Sequence, residues 1–467
     1  MSDGEIVSSN ESNSLLKVGG MYKDWFLDYA SYVILERAVP DLFDGLKPVQ
    51  RRILHSMNTL EDGRYNKVAN IVGTTMQFHP HGDASISDAI IQLGQKDLLI
   101  DMQGNWGNIY TGDKAAASRY IEARLSKFAL EVVFNSKTTK WQLSYDGRKK
   151  EPIHLPIKFP LLLAQGAEGI AVGLSTKILP HNFNELIDSS IKHLKGKRFK
   201  LYPDFQTGGF IDIKNYNDGN RGGRVKVRAK LEKLDKNSII IKEIPYGTTT
   251  ASVIESIIKA SDKGKIKLKK IEDNTSSNVE IIVYLKTGSS ISKTIDALYA
   301  FSQCEVSISP LSCIISNNKP EFIGVSDILK TSTENTRELL KEELEIELEE
   351  LNNQWHNISL EKIFIENRIY RDIEDKTSWE SVLSSIEEGL KPFTKKLRKQ
   401  VSLDDIKKLT EIPIKKISKF DLNKVNEKLK SINTNIDEVK NNLEHITDYA
   451  IKYFEYLKKE YGSERKR

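Results

Sequence analysis

The strongest constraint on the fold is an apolar stripe near the end of the chain, in which the step between successive members alternates between four and three residues. The stripe comprises Val425, Leu429, Ile432, Ile436, Val439, Leu443, Ile446, Ala450, Tyr453 and Leu457. This period predicts a long helix that packs along one seam against a second helix. The partner is predicted upstream, where a helical stripe comprises Leu344, Leu348, Leu351, Trp355 and Ile358 and continues to Ile365 and Ile369. We expect the two helices to pair as an antiparallel coiled coil.

The rest of the chain divides by composition. A chain of 467 residues is too long for one ordinary core, so about two to four domains are expected. Residues 22–155 are predicted to be mainly helical, and residues 156–330 to form a mixed α/β domain with the β-rich runs VKVRAKL, SIIIKEI and VEIIVYL. The coiled coil occupies residues 331–467, with a helical knot at about 378–420 that is suited to self-association. The predicted fold class is multidomain α+β.

The bulk composition indicates a soluble protein. The chain is 39% hydrophobic and 29% charged, and it has no apolar run long enough to cross a bilayer. Residues 1–21 lack the layout of a signal peptide and are predicted to form a disordered arm, so a cytoplasmic location and no membrane partner are expected. Cys304 and Cys313 have no histidine close in sequence, which argues against a zinc site. The net charge of +5 permits a polyanionic partner.

The first domain contains a possible helix-turn-helix. Helices are predicted over KPVQRRILHSMNTL and near KVANIVGTTMQ, and the turn FHPHG leads into a third helix over DASISDAIIQLGQ. In the first of these, Val49, Ile53, Leu54 and Met57 share one face, which leaves the neighbouring arginines on another side. An ordinary helical hairpin remains the alternative.

Tyr120, in the stretch AAASRYIEARLS, is a candidate nucleophile. A phenol has a pKa of about 10, so its attack on a phosphodiester requires a base or a local positive field. Arg119 can supply that field and can stabilise the charge that develops on the phosphoryl oxygens. Small residues at 115–117 allow a large partner to approach the backbone closely. A packing or surface role for this tyrosine is the alternative.

Several further residues are candidates for binding a DNA backbone. In HPHGD, two histidines flank a proline at a turn into a helix, and this arrangement directs imidazoles and helix N-terminal amides toward an anion. Ile170 lies between glycines and could wedge between base pairs, although a core position is the alternative. A solvated surface is the alternative for the basic candidates, and backbone-satisfied histidines for the HPHGD pair. The DNA-binding candidates are Arg37, Lys47, Arg51, Arg52, His79, His81 and Ile170.

Two cofactor sites are not expected in this chain. TGSSISKT has Ser292 where a phosphate-binding loop requires its second glycine. AEG at 167–169 is reminiscent of a magnesium-binding toprim segment, but no Asp-x-Asp pair completes it. Neither an ATP site nor a set of metal-binding carboxylates is therefore predicted here.

Taken together, DGLKPVQRRIL, HPHGDASISDAI, DMQGNWGN, AAASRYIEARLS, GIAVGLSTKILPHN and EIPYGTTT resemble, in this order and spacing, the A subunit of bacterial type IIA DNA topoisomerases. The resemblance covers roughly residues 22–460. It implies a winged-helix domain over 22–155, a tower domain over 156–330, and a coiled coil over 331–467 with a C-gate dimer contact at about 378–420.

The resemblance also implies roles for individual residues. Tyr120 would form a 5′-phosphotyrosine link, and Arg119 would stabilise its transition state. Ile170 falls at the intercalating position of the family, and Arg37, Lys47, Arg51, His79 and His81 fall at its DNA-binding and active-site positions. The chain would act as a homodimer on double-stranded DNA. A partner B subunit, in an A2B2 complex, would bind the ATP and Mg²⁺ needed for strand passage, decatenation and relaxation.

The sequence also indicates the branch of the family and the expected response to quinolone drugs. KPVQRR and IPYGTTTASVIESIIKASDKGKIKLKKIEDN are more similar to topoisomerase IV than to DNA gyrase, which remains the alternative. At the quinolone contact of the family, Ala84 replaces the usual serine while Asp88 keeps the acid, so weak quinolone trapping is expected. A DNA-architectural dimer without a reactive tyrosine remains a further alternative. A tyrosine recombinase is less well supported, because its paired arginines and HxxR element are not found.

Overall fold

A computed structural model describes Gly20 and residues 22–413 and 421–462. The predicted arm over 1–21 lies outside the described residues apart from Gly20, as does the 414–420 part of the predicted knot. The contacts divide the chain into two compact units, one comprising residues up to Thr336 together with those from Tyr453 onward, and the other comprising Arg337–Lys452. The chain is of mixed α+β type, as predicted.

Fourteen helices are described below as α1–α14. The first lies at 22–33 and continues as a π-helical turn over Ile34–Ala38. The others are α2 Pro48–Thr59, α3 Val68–Thr75, α4 Asp83–Gln95, α5 Lys127–Val132, α6 Leu161–Gln165, α7 Phe183–Leu194, α8 Thr250–Asp262, α9 Ile291–Phe301, α10 Val325–Glu366, α11 Trp379–Leu390, α12 Leu403–Thr410, α13 Leu422–Glu444 and α14 Ile446–Tyr461. None of the helices within the described ranges combines the length and apolarity that a bilayer crossing requires.

The described part of the chain contains sixteen strands, which form small antiparallel sheets. They are β1 Asn66–Lys67, β2 Ile100–Gln103, β3 Glu122–Leu125, β4 Trp141–Leu143, β5 Lys150–Pro152, β6 Ala167–Ile170, β7 Ser175–Ile178, β8 Phe210–Asn215, β9 Arg224–Arg228, β10 Lys230–Lys233, β11 Ser238–Glu243, β12 Leu268–Asp273, β13 Ile281–Leu285, β14 Glu305–Ile308, β15 Cys313–Ser316 and β16 Lys319–Phe322. The sheet orders are β1-β3-β2, β10-β11-β13-β12 and β14-β9-β8, with two-stranded pairs β4-β5, β6-β7 and β15-β16. The three β-rich runs noted in the sequence are all strands, although VKVRAKL is divided between β9 and β10.

The three helices predicted around the HPHGD turn form as expected and pack on one another in the first unit. Pro48 occupies the first turn of α2, where its missing N–H costs nothing, and the backbone N–H of Lys47 donates to the Gln50 side chain. The apolar faces of the helices are buried together: Ile53, Leu54 and Met57 of α2, Val68, Ile71 and Val72 of α3, and Ile86, Ile90 and Leu93 of α4. A second core in this unit lies where β11 and β13 pack against α8 and α9.

The long helices pack in the second unit, within which Leu344 and Leu351 of α10 are buried with Ile432, Ile436 and Val439 of α13. Two details of the predicted stripes are wrong. Helix α10 ends at Glu366, because Arg368 adopts a left-handed conformation with φ 53°, and Ile369 packs instead with α11 and α12.

The second stripe is also not one helix. His445 leaves helical geometry with φ −114° and ψ 41°, so α13 ends at Glu444 and α14 begins at Ile446. Phe454 and Leu457 of α14 belong to the core of the first unit. The apolar repeat continues through the break, because Ile446 at the start of α14 still packs against the core that α13 joins, whereas Leu457 near its end is buried in the core of the first unit.

Candidate active site

Tyr120 lies in the loop between β2 and β3, and this loop is fixed to the start of α3. The backbone oxygens of Ser118 and Ile121 accept hydrogen bonds from the N–H groups of Ala69, at 3.1 Å, and Val68, at 3.0 Å. The Tyr120 N–H donates to the Ala117 oxygen at 2.8 Å. The side chain is 63% exposed. The fixed backbone therefore presents the phenol to solvent instead of packing it.

Arg119 is the immediate partner of this tyrosine. Its guanidinium carbon lies 4.6 Å from the centre of the Tyr120 ring, which is a cation–π contact. Both side chains are exposed. Among the described residues, no hydrogen bond is made by the Tyr120 hydroxyl. The pair therefore offers an accessible nucleophile beside a positive charge, and a base must come from elsewhere.

His79 is buried, and its ring is neutral. Burial, followed by the charges of Arg52, His81 and Arg37, lowers the pKa of His79 to about 4. Its Nδ1 lies 3.2 Å from Nη1 of Arg52. A guanidinium only donates, so Nδ1 accepts and the proton of the neutral ring resides on Nε2. His79 can therefore offer one N–H donor but no charge at neutral pH.

His81 continues this cluster toward α1 and α4. The two histidine rings lie 4.6 Å apart, edge to face, and Nε2 of His81 is 2.5 Å from the Tyr32 hydroxyl. The HPHGD turn ends at Gly82, which is the N-cap of α4. Ala84 and Asp88 are both exposed and lie four residues apart, on one face of α4.

The two arginines of α2 are not a free basic surface. Arg51 is buried and donates Nε and Nη2 to the two carboxylate oxygens of Asp44, at 2.6 and 3.0 Å. Arg52 donates to both carboxylate oxygens of Glu151, at 2.8 and 3.0 Å. The expected basic group on the other side of α2 is therefore neutralised by two acids, one of them 99 residues away in sequence.

Ile170 stands at the end of the β6-β7 hairpin, where it pairs with Ser175 across the turn. At 84% it is highly exposed for so large an apolar side chain. The alternative that it is a core residue is thus excluded in this structure. A Cβ on the preceding Gly169 would lie 2.1 Å from the backbone oxygen of Ala38, so the hairpin backbone packs directly against the residue that follows Arg37.

Two lysines support the base of this hairpin. Lys47 donates to the backbone oxygen of Glu168 at 2.5 Å, and Lys96 donates to that of Gly166 at 3.1 Å. Burial lowers the pKa of Lys47, and burial together with Lys47 lowers the pKa of Lys96 to about 8. No sequence signal selects Lys96, because its role depends on a backbone carbonyl 70 residues away.

The candidates thus form two groups. Arg37 and Lys47 belong to the segments that contact the β6-β7 hairpin carrying Ile170, and the charge of Arg37 also acts on His79, which lies in a cluster with Arg52 and His81. Within the part of the chain that the structure describes, no hydrogen bond, ion pair or ring contact joins Tyr120 or Arg119 to either set. The reactive pair and the basic cluster are therefore separate features of the described chain.

One group of side chains has the donor types of a metal site. Ligand atoms of Asp41, Asp44 and His154 all lie within 4.8 Å of one another. However, both carboxylate oxygens of Asp44 are already bonded by Arg51, which brings its own positive charge. Burial and then the charge of Asp44 raise the pKa of Asp41. The arrangement therefore fits a buried ion pair better than Mg²⁺.

Comparison with known proteins gives a consistent picture. A family model that describes the A subunit of DNA gyrase and topoisomerase IV matches residues 37–455. The chain is 43% identical over 445 residues to the A subunit of DNA topoisomerase 4 from Borreliella burgdorferi, an alignment that covers 95% of this chain and 71% of that protein. It is 34% identical over 389 residues to the DNA gyrase A subunit of Clostridium acetobutylicum, covering 77% of this chain and 46% of the relative. It is 32% identical over 486 residues to the DNA gyrase A subunit of Buchnera aphidicola, and this alignment covers 91% of this chain and 56% of that protein. The chain thus spans about half the length of these gyrase relatives.

Proposed function

Because the chain belongs to the family of DNA gyrase and topoisomerase IV A subunits, we propose that it breaks and rejoins duplex DNA through Tyr120. The observation that carries this proposal is the presentation of an exposed tyrosine and arginine on a loop whose backbone is fixed to α3. The identity of 43% to a topoisomerase 4 protein, against 34% and 32% to the two gyrase proteins, favours the topoisomerase IV branch.

In the proposed reaction the Tyr120 oxygen attacks a backbone phosphorus and loses its proton. The bond from phosphorus to the 3′ oxygen breaks, and the 3′ oxygen takes up a proton to become a hydroxyl. The product is a 5′-phosphotyrosine link that keeps the energy of the phosphodiester, so the 3′ hydroxyl can reverse the step. Arg119 stabilises the charge on the phosphoryl oxygens during transfer.

This chemistry depends on groups that a B subunit supplies. Among the described residues, no side chain accepts a hydrogen bond from the Tyr120 hydroxyl, and Asp44 of the Asp41, Asp44 and His154 group is already paired with Arg51. A B subunit would bind Mg²⁺, which would stabilise phosphate charge, and ATP, which would drive strand passage. The active assembly is accordingly an A2B2 complex, cytoplasmic and associated with the nucleoid, which decatenates and relaxes DNA.

The remaining candidates position the DNA in this proposal. Arg37 and the donor on His79 contact phosphates, and His81 extends the same cluster. Ile170, on a hairpin fixed by Lys47 and Lys96, intercalates and bends the duplex. The ion pairs of Arg51 and Arg52 suggest that these two residues hold α2 and the HPHGD turn in place and contribute to DNA binding indirectly.

The same proposal assigns a role to each domain. Residues 22–155 form a winged-helix domain and residues 156–330 a tower. Residues 331–467 form the coiled coil, and the region at about 378–420 forms the C-gate contact of a homodimer. The burial of α10 against α13 supports the coiled coil.

The test uses end-labelled duplex DNA, the chain, its cognate B subunit and Mg²⁺. Wild type is expected to become attached to 5′ ends, and Tyr120→Phe is expected to bind DNA without becoming attached. Tyr29→Phe is a matched control, because Tyr29 is 59% exposed. Attachment by Tyr120→Phe, or attachment to 3′ ends, would overturn the proposal. DNA binding by wild type without any attachment would favour an architectural dimer.

A further inference from the structure

The β4-β5 hairpin presents apolar side chains that the proposed chemistry does not use. Trp141, Leu143 and Tyr145 are 43%, 64% and 58% exposed. Trp141 and Leu143 are alternate residues of β4, so their side chains point to one face, and Tyr145 follows them in the turn that joins β4 to β5. Most surface apolar residues are isolated, and a group of three with two aromatic members marks an interaction site.

The hairpin is held rigidly, so this exposure is not the result of a loose segment. Glu151 is buried under the double hydrogen bond from Arg52. The His55 ring bonds to the backbone of Lys150 and meets the Trp141 ring edge to face, with 5.6 Å between centres. The Ser144 N–H donates to the Lys149 oxygen at 2.8 Å, which closes the turn. A preorganised surface loses little conformational freedom when a partner binds.

The edge of this surface is basic. Lys140 directly precedes β4, Arg148 lies in the turn, and Lys150 begins β5 opposite Leu143; all three are exposed. Asp146 is the acid of the turn, and it accepts a hydrogen bond from Ser144 and lies 3.8 Å from Arg148. The surface therefore has an apolar centre, an excess of positive charge at its rim, and tryptophan, tyrosine and arginine, the residue types that dominate protein interfaces.

We propose that this hairpin face docks a protein surface with an apolar centre and an acidic rim, and that the partner carrying it is the B subunit. A second copy of this chain fits poorly, because a twofold contact would bring the basic rim against itself. Duplex DNA fits poorly as well, because its bases are stacked and its phosphates cannot cover tryptophan, leucine and tyrosine. The inference rests on the proposed function for the existence of a B subunit.

The test measures the affinity of the full chain for the purified cognate B subunit. Leu143→Asp is expected to weaken binding at least tenfold, and Arg148→Glu is expected to weaken it and to reduce its dependence on salt. Leu234→Asp is the matched control, because Leu234 is also half exposed but lies in the turn between β10 and β11. The control is expected to bind as wild type does.

A second readout separates this inference from the proposed function. Attachment of Leu143→Asp to DNA 5′ ends is expected to be low at limiting B subunit and to return to the wild-type level when the B subunit is in excess. Wild-type affinity of both hairpin variants for the B subunit would overturn the docking surface while leaving Tyr120 chemistry intact. Two other outcomes would also overturn the docking surface. Loss of DNA binding by the hairpin variants in the absence of the B subunit would favour DNA as the partner, and a change in their oligomeric mass would favour a second copy of the chain.

Discussion

Removal of the Asp44 carboxylate is expected to destabilise the first unit strongly. In the folded chain Asp44 is fully buried and accepts four hydrogen bonds, two from Arg51 and one each from the N–H groups of Leu46 and Leu155 at 3.1 Å. Asp44→Ala leaves the Arg51 guanidinium buried without its counter-charge, and breaking such a pair costs about 3–5 kcal/mol. Each backbone N–H that loses its acceptor adds on the order of 1 kcal/mol. We therefore expect a loss of about 5 kcal/mol in the free energy of unfolding.

A double variant separates the charge from the packing. Asp44→Ala with Arg51→Met removes both charges, so the cost of burying an unpaired guanidinium disappears. A loss of about 2 kcal/mol in the free energy of unfolding remains, because two backbone N–H groups still lack an acceptor. The control is Asp101→Ala, which breaks an ion pair to Arg124 of similar length, 3.0 Å, in which both side chains are more than one-third exposed. An exposed pair contributes at most about 1 kcal/mol.

The assay is amide hydrogen exchange of the full chain followed by mass spectrometry, read on peptides that cover α2. Exchange reports the free energy of local opening without requiring the whole chain to unfold in one step. A loss for Asp44→Ala no larger than that for Asp101→Ala would refute the reasoning. The reasoning would also be refuted if the double variant lost as much free energy of unfolding as Asp44→Ala alone.

Three further outcomes are expected. The pKa of His79 is lowered from 6.5 to about 4, so below pH 6.5 the unfolded chain binds a proton that the folded chain does not; stability falls by about 2 kcal/mol as the pH drops toward 4. His79→Gln should flatten that slope in denaturant titrations at each pH, and an unchanged slope would contradict the assignment. Gly169→Ala would place a Cβ 2.1 Å from the Ala38 oxygen, so it should lower both thermal stability and DNA bending. The control is Gly173→Ala, where a Cβ meets open space and only the φ of 71° is unfavourable, so its losses should be smaller. Equal losses for the two variants, measured by thermal unfolding and by fluorescence of end-labelled duplex, would count against this packing. Ala84→Ser should increase quinolone-stabilised DNA cleavage, and an unchanged drug response would show that the hydroxyl does not limit trapping.

The spacing of apolar residues was sufficient to predict the helices α2, α3 and α4. The apolar faces of α2, α3 and α4 follow from residue spacing, because burying one side of a helix requires a period near 3.6. The nucleophile candidate also came from the sequence, through the motif around Tyr120. The break at His445 did not, because the apolar repeat continues through it and only the backbone geometry shows that two helices share one stripe.

Residue order alone was enough to predict the helices around the HPHGD turn, the three β-rich runs, the succession of motifs and the family, because all of these depend on residues near one another along the chain. The folded arrangement was needed to learn which charges are free and which apolar groups are exposed. Arg51 was predicted as part of a basic group and is buried against Asp44, whereas Ile170 had a core position as its alternative and is exposed at the end of a hairpin. The physical reason is that burial and ion pairing depend on distant segments, such as Glu151 for Arg52 and Ala38 for the Ile170 hairpin, and local spacing carries no information about them.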